Sequence, residues 1–146
     1  MTDTAELIRL SRHLPRADLA RPELLAETGR KLAIEWPPDY VALISAHDGV
    51  EGDIGDWLLV LTPVAGLVEQ NTDPVMESFP DLVVIGGDGG GEALAIDRVT
   101  HEILLVPWIG GEEDWLVLGT TMTEALQRME RGAVFDAPHR QPGDIR

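Results

Sequence analysis

Apolar residues recur at helical spacing through the first third of the chain. Asp3 and Glu6 form a capping-box pattern that opens a first helix, and Pro15 ends it. Pro22 suits the first turn of a second helix. The apolar side of that second helix carries Leu24, Leu25, Thr28 and Leu32. A third helix is predicted before Gly49, and its buried face carries Tyr40, Leu43, Ile44 and His47.

The pattern changes to short apolar runs in the second part of the chain. Strands are predicted at 57–61, 82–86, 92–97, 102–109 and 115–118. The preceding segment, VEGDIGD at 50–56, is interpreted as a turn. Thr62 and Pro63 predict the cap and the first turn of a short helix after the first strand.

A closing helix is predicted from a second capping box, Thr121 with Glu124, and it ends at Gly132. Its apolar face carries Met122, Ala125, Leu126 and Met129. We expect one domain over residues 1–132 and a loosely ordered tail over residues 133–146, which contains two prolines. This order of elements predicts an α+β fold. Its mostly antiparallel sheet of five to six strands packs against the N-terminal helices and the closing C-terminal helix.

Charge is distributed unevenly along the chain. The 146 residues carry a net charge of −15, and positions 32–127 contain eighteen acidic residues and one basic residue, Arg98. Such an acidic body repels nucleic acid and anionic membrane and attracts a basic partner. The alternative interpretation is that the acids only keep the protein soluble. No apolar run approaches the roughly 18 residues of a membrane span, and the charged N-terminus is unlike a signal peptide, so we expect a cytoplasmic protein.

Five glycines occupy six positions in the stretch VVIGGDGGGEALAID at 83–97, which raises the question of nucleotide binding. A dinucleotide fingerprint that starts at Gly87 would have Glu92 in place of its third glycine, and no lysine follows Lys31 to complete a P-loop. Asp88 and Glu92 would also repel a phosphate. The stretch is better interpreted as a strand-to-strand turn in which glycine supplies positive φ angles. No cofactor is predicted.

Candidate catalytic and metal-binding residues do not form a recognisable motif. The chain has no cysteine, and its four histidines are far apart in sequence. Glu112, Glu113 and Asp114 are adjacent oxygen ligands but lack EF-hand spacing. We therefore expect no catalytic residues and no metal, and a metal-dependent hydrolase is kept as a third alternative.

Two segments in fixed order resemble the SUKH superfamily, whose motifs run Leu-Pro-x-x-Tyr-x-x-Phe-Leu-x-x-x-Asn-Gly and then Ile-Gly-x-Asp-Gly-Gly-Gly-Glu. The matching segments are PPDYVALISAHDG and IGGDGGGEALAID, and the resemblance covers residues 22–131. The chain departs from the first motif at Trp36-Pro37, Leu43 and Asp48. The resemblance assigns a fold-maintaining role to Pro38, Tyr40, Gly49, Gly86, Gly89, Gly90, Gly91 and Asp97.

The resemblance implies a non-enzymatic protein-binding domain. Bacterial members of this superfamily are largely immunity proteins that bind and neutralise polymorphic toxins, many of them nucleases, and fungal relatives regulate cell-wall synthesis through protein contacts. One hypothesis is therefore an immunity protein for a protein partner such as a basic toxin domain. The alternative is a housekeeping adaptor domain with several weaker partners. A monomer or weak dimer is expected in both cases.

Two acidic clusters, each followed by a tryptophan, are the candidate contact residues, because tryptophan commonly anchors interfaces. The first cluster is Glu51, Asp53 and Asp56 with Trp57. The second cluster is Glu112, Glu113 and Asp114 with Trp115. The alternative is that both tryptophans begin buried strands and pack in the core.

Overall fold

A computed structural model describes residues 4–16, 21–73, 76, 79 and 81–140. Within these residues the helices are α1 (Thr4–Ser11), α2 (Pro22–Lys31), α3 (Pro38–Ala46), α4 (Val64–Asn71) and α5 (Met122–Glu130). The strands are β1 (Glu51–Ile54), β2 (Trp57–Leu61), β3 (Leu82–Gly87), β4 (Glu92–Asp97), β5 (Ile103–Pro107) and β6 (Leu116–Gly119). Short 3-10 helices span Glu112–Asp114 and Val134–Asp136.

The six strands form one sheet in the order β1-β2-β3-β4-β5-β6, and each neighbouring pair is antiparallel. The predicted α+β fold with a mostly antiparallel sheet is confirmed. Because successive strands run in opposite directions, the connections β1–β2, β3–β4 and β5–β6 all lie at the same end of the sheet. The connections β2–β3, which includes α4, and β4–β5 lie at the opposite end.

The sheet has a different apolar cluster on each face, since alternate side chains of a strand point to opposite sides. On β3, Val83 and Ile85 join the main core beneath the helices, whereas Leu82 and Val84 belong to a second cluster on the outer face. Phe79 covers this outer cluster, whose other members include Met76, Ala93, Ala95, Leu104, Val106 and Trp115. The helices therefore occupy one side of the sheet.

The apolar faces predicted for α3 and α5 are buried in the main core. Tyr40 and Ile44 of α3 are 0% exposed, and Met122 and Met129 of α5 are equally buried. The phenolic oxygen of Tyr40 has no hydrogen-bond partner among the described residues, and burial raises the pKa of this phenol above its ordinary value. Packing thus fixes both helices against the sheet.

The side chain of Asn71 joins α4 to the irregular part of β3. The pairing of β3 with β4 shifts between Val84 and Gly86. The Asn71 amide nitrogen donates to the carbonyl oxygen of Val84 at 2.9 Å, and its amide oxygen accepts from the Val84 nitrogen at 2.7 Å. A side chain therefore takes the place of a strand neighbour at this bulge.

Carboxylates from α3 and the segment after it bind the N-termini of two other helices. Asp39 Oδ2 accepts from the backbone nitrogen of Thr123 at 2.7 Å, at the start of α5. Asp48 Oδ1 accepts from the backbone nitrogen of Val64 at 2.8 Å, at the start of α4. The prediction that Thr62 caps α4 was wrong, because its hydroxyl donates to Gln70 instead. A cap distant in sequence leaves no local signal.

Strand β1 corrects the prediction of a turn at 50–56. Glu51–Ile54 pairs with β2 through four residue pairs, and the turn is confined to the following positions, where Gly55 has a φ of +60°. Glycine and acidic residues have low strand propensity, so the segment alone did not indicate a strand. Its conformation depends on pairing with β2 and on close packing, since a Cβ at Gly52 would lie 2.8 Å from Leu14 Cδ2.

The other predicted element ends differ by a few residues. Strand β5 ends at Pro107 rather than at 109, and β6 is shifted by one residue from 115–118. The proposed capping residue Asp3 lies outside the described residues. None of the helices in the described part of the chain combines the length and the apolar character needed to cross a lipid bilayer.

Residues 133–140 pack against the domain, whereas the sequence predicts a loosely ordered tail. Val134 and Ala137 join the main core, and Leu116 pairs with His139 through an isolated bridge. Arg140 is 6% exposed and forms an ion pair with Asp97 at 2.6 Å. This segment therefore covers the outer edge of β6. Residues 141–146 lie outside the described part of the chain.

Candidate binding surface

The three hairpin connections at one end of the sheet carry a group of acidic side chains. We call this group, together with Glu92 at the start of β4, the acidic end, and its members are Asp56, Asp88, Glu92, Glu112, Glu113 and Asp114. The connections contain no lysine or arginine. Antiparallel topology thus collects, at one end of the sheet, acids that are up to 58 positions apart in sequence.

The first candidate cluster is divided between the two faces of the sheet. Glu51 and Asp53 are exposed, and they lie on the outer face, because Ile54 and Gly52 face the helices. Asp56 is exposed at the turn. Trp57 lies on the helical face, half-buried against the main core. The tryptophan therefore does not share a surface with Glu51 and Asp53.

Trp57 forms an aromatic pair with Phe135, a residue that the sequence analysis missed. Their ring centroids are 5.9 Å apart, and Phe135 remains 68% exposed. The indole nitrogen of Trp57 is buried without a hydrogen-bond partner among the described residues. Phe135 was missed because its segment was predicted to be loosely ordered. The one indication of its role in the sequence was that a phenylalanine stands alone in a largely polar tail.

The second candidate cluster lies on the short 3-10 helix between β5 and β6. Glu113 and Asp114 are exposed and Glu112 is half-buried. Trp115 is 5% exposed, enclosed by Phe79, at a centroid distance of 5.9 Å, and by the Arg140 guanidinium, 5.6 Å from the ring. Trp115 is therefore a core residue, as the alternative interpretation held.

Apolar exposure at the β5–β6 connection comes instead from Ile109, which the sequence analysis did not single out. Its side chain is 92% exposed, more than any other large apolar residue of the described chain. The preceding Trp108 is half-buried and packs edge-on against Phe79 at 6.2 Å. An exposed isoleucine thus stands next to the acids Glu112–Asp114.

The glycine-rich turn between β3 and β4 is organised by Asp88. Its Oδ1 accepts from the backbone nitrogens of Gly90, at 2.9 Å, and Glu92, at 3.2 Å. Gly89 has a φ of +80°, in the region that favours glycine. The turn thus joins two antiparallel strands, and its central backbone nitrogen is bound by a carboxylate of the chain itself.

Glycine is sterically required at the base of this turn. A Cβ at Gly86 would overlap the carbonyl oxygen of Val60, and one at Gly87 would overlap that of Glu92. At Gly90 the nearest atom to a Cβ would be Asp88 Oδ1 at 3.6 Å, and at Gly91 there is none within 4 Å. Neither Gly90 nor Gly91 has a positive φ. Local sterics therefore explain Gly86, Gly87 and Gly89 but not Gly90 and Gly91.

Three carboxylates of the acidic end interact electrostatically. Partial burial raises the pKa of Glu92 above that of an ordinary glutamate, and the negative charges of Asp88 and Asp114 raise it further. The β3–β4 and β5–β6 connections therefore contribute to one negative field. A cation or a basic side chain at this end would reduce the repulsion.

Part of the outer sheet face is apolar and uncovered. Leu58 is 40% exposed and Val60 is half-buried, and we call these two residues the outer strip. They pair across the strands with Asp53 and Glu51, respectively. The glycine turn borders the other side, because a Cβ at Gly89 would lie 3.4 Å from Val60 and 3.6 Å from Leu58.

A separate apolar groove lies between α2 and α3, on the helical side of the protein. Its volume is about 670 Å³, and it is lined mainly by apolar side chains, among them Leu25, Ala26, Ile34, Trp36 and Val41. The Trp36 indole nitrogen donates to the carbonyl oxygen of Leu25 at 2.9 Å, which fixes one wall of the groove.

In the described part of the chain, no group of three or more histidine, aspartate or glutamate residues is arranged to hold a metal ion.

Comparison of the sequence with models of known protein families and with curated proteins finds no match. The resemblance to the SUKH superfamily therefore rests on the two motifs and their order.

Proposed function

We propose that the chain is a protein-binding domain that neutralises a basic toxin by direct contact, as an immunity protein does. The observation that carries this proposal is the acidic end, because three connections without a lysine or arginine lie at the same end of the sheet. The proposal requires a complementary surface and no catalytic group. It places the protein in the cytoplasm of the cell that it protects.

The acidic end has the properties of a surface that steers a cationic partner. Exposed charges act over about 8 Å at physiological ionic strength, so neighbouring connections add to one field. Glu113 and Asp114 are exposed, and in the same region the pKa of Glu92 is raised first by partial burial and then by the negative charges of Asp88 and Asp114. Complementary charge increases association rate more than it increases affinity.

A nuclease toxin is a suitable partner on chemical grounds. Its nucleic-acid site must be basic, because phosphate contacts dominate nucleic-acid binding. A carboxylate-rich protein surface can occupy such a site and exclude the substrate. The motif resemblance points to the same class of partner.

Affinity also requires apolar contacts beside the charges. Ile109 is almost fully exposed next to Glu112–Asp114, and Phe135 is exposed above Trp57. A few side chains that become fully buried contribute most of the binding energy in many interfaces. Both flank the acidic connections.

Growth rescue with the neighbouring gene product tests the proposal. The proposal predicts that a toxin is encoded beside this chain, and the C-terminal domain of that toxin is expressed from an inducible promoter, alone or together with the chain. We expect growth arrest with the toxin alone, recovery with the chain, and co-purification of the two proteins. Arrest that persists in the presence of well-expressed chain, or recovery without a complex, would overturn the proposal.

A second candidate function, an adaptor domain with several weaker partners, is favoured by the groove between α2 and α3. This groove is apolar and lies on the helical side, away from the sheet's outer face. An adaptor would bind unrelated proteins through this groove. Val41→Lys, a change in the groove wall, should then abolish binding of several unrelated proteins and leave growth rescue intact, and protein binding that survives this change would argue against the adaptor function.

A further inference from the structure

A small cavity lies between α1 and α3, on the helical side of the protein. Its volume is about 210 Å³. Most of its wall is apolar and comes from both helices, through Leu7, Ile8, Ala42, Leu43 and Ala46. Such a volume has room for roughly seven water molecules at ~30 Å³ each, so a ligand of this cavity is smaller than a typical cofactor.

Two arginines line the same cavity. Arg12 and Arg16 follow the end of α1, and both residues are exposed. Within the described chain neither forms an ion pair with a carboxylate, and no described aspartate or glutamate lines the cavity. The polar contact of Arg12 is with the ring of His13, at 3.4 Å. The cavity therefore combines an apolar wall with two positive charges.

Glu130 of α5 interacts with the charge of Arg12 but is already bound by another arginine. Arg9 donates to both Glu130 carboxylate oxygens at 3.0 Å. These hydrogen bonds are the main cause of the lowered pKa of Glu130, and the charge of Arg12 contributes less. Because Glu130 is held by Arg9, the Arg12 guanidinium keeps its donors for a ligand.

His47 holds the segment that carries Arg16 against the end of α3. Its side chain lines the cavity, is 5% exposed, and donates from Nδ1 to the carbonyl oxygen of Pro15 at 2.8 Å. A carbonyl oxygen only accepts, so Nδ1 carries the hydrogen. The hydroxyl of Ser11, another lining residue, donates to the carbonyl oxygen of Leu7 at 2.7 Å. These bonds fix the wall beside the two arginines, and a preformed wall reduces the cost of binding.

We propose that this cavity binds a small carboxylic acid that carries a short apolar group. The carboxylate accepts charge-assisted hydrogen bonds from the guanidinium groups of Arg12 and Arg16. The apolar group packs against Ala42, Leu43 and Ala46 of α3. Inorganic phosphate fits less well, because it would lose hydration at an apolar wall without gaining apolar contacts. This site is separate from the acidic end and does not depend on the proposed function.

An NMR titration of the full isotope-labelled chain tests the site. The probe is isocaproate, and each of two control compounds lacks one of its features. Isocaproamide lacks the negative charge, and acetate lacks the apolar group. We expect isocaproate to shift the resonances of Arg12, Arg16, Ala42 and Ala46, and to bind about tenfold more tightly than either control.

Variants at the cavity separate charge from shape. Arg12→Gln/Arg16→Gln should weaken isocaproate binding by at least about tenfold and leave the melting temperature of the free protein unchanged. The matched control, Arg30→Gln/Arg131→Gln, removes two charges from exposed positions outside the cavity and should leave the affinity unchanged. Ala42→Leu keeps both cavity arginines, narrows the cavity from α3, and should also weaken binding about tenfold.

Equal binding of isocaproate and isocaproamide, equal losses in the two double variants, or unchanged affinity in Ala42→Leu would overturn the inference. Acetate that binds as tightly as isocaproate would indicate an adventitious ion only. N-acetylleucine represents the C-terminal residue of a peptide, and tighter binding of this larger compound would overturn the assignment to a small acid. Each of these outcomes is independent of growth rescue by the chain.

Discussion

The Arg140 guanidinium donates to Oδ2 of Asp97 at 2.6 Å, and the two side chains are only 5% and 0% exposed. The other Asp97 oxygen, Oδ1, accepts from the backbone nitrogens of Val99 and Thr100 in the turn after β4. The same guanidinium lies over the Trp115 ring. One ion pair thus ties the C-terminal segment to a sheet turn and to the outer cluster.

Arg140→Ala should lower the free energy of unfolding by about 3–5 kcal/mol, because it removes the guanidinium from a buried ion pair. Chemical denaturation measures this loss. The control is Arg131→Ala, at an exposed position, which should change stability by no more than ~0.5 kcal/mol. Equal stability of the two variants would show that the C-terminal segment is not held by this pair.

The sequence predicted the elements that have strong local signals. Strand β4 was predicted over its full range because an alternating run lies between a glycine turn and Asp97. Strand β1 was missed because only Ile54 points into the core. The role of Arg140 was missed because its partner is 43 residues earlier in the chain, and no local pattern indicates such a pair.

The candidate site was predicted only in part, because local patterns in the sequence do not indicate long-range contacts. The acids of both clusters were found from composition, but a single sequence does not show which face each strand residue occupies. Trp57 and Trp115 have the same local context, since each follows an aspartate and precedes an apolar run. Trp57 is nevertheless half-buried beside Phe135, whereas Trp115 is enclosed by the outer cluster. Tertiary packing decides between them.

Valine substitution at neighbouring glycines tests the turn geometry. The sequence analysis expects positive φ angles at glycines of this turn, and the structure has one at Gly89 but not at Gly90. Gly89→Val should lower stability by more than ~1 kcal/mol, because a β-branched residue is strained at positive φ. Gly90→Val should be nearly neutral. Thermal melting of both variants makes the comparison, and equal melting temperatures would contradict this geometry.

Asp48→Ala should destabilise the protein by about 0.5–2 kcal/mol, the usual effect of removing a helix cap. Its carboxylate binds the Val64 nitrogen at the start of α4. Glu69→Ala, an exposed change on the same helix, serves as the control and should have little effect. If urea denaturation finds no difference between the two variants, the capping role of Asp48 is wrong.

Glu92→Gln should stabilise the protein at about pH 7 and not at about pH 3. The folded-state pKa of Glu92 is raised, so the folded protein favours the neutral acid, and stability falls as pH rises from the ordinary glutamate pKa through the raised value. Glutamine removes this penalty at neutral pH, whereas at low pH the wild-type side chain is already neutral.

Glu124→Gln provides a contrast of opposite sign. Hydrogen bonds from Thr120 lower the pKa of Glu124. Its contribution to stability is therefore present above the ordinary glutamate pKa and is lost as pH falls through the lowered value. Glu124→Gln should destabilise the protein at neutral pH. Denaturation curves of Glu92→Gln and Glu124→Gln at both pH values make the comparison. A change of stability in the same direction for both variants at neutral pH would contradict the electrostatic description.

The association rate with the toxin domain that the proposed function predicts, measured by stopped flow at low and high salt, tests the central claim most directly. We expect fast association that slows as salt rises, because exposed charges are screened. Reversal of the exposed acids in Glu113→Lys/Asp114→Lys should slow association severalfold at low salt. The charge-matched control on α2, Glu23→Lys/Glu27→Lys, should have a much smaller effect. Equal association rates for the two reversed variants at low salt would contradict a binding role for the acidic end.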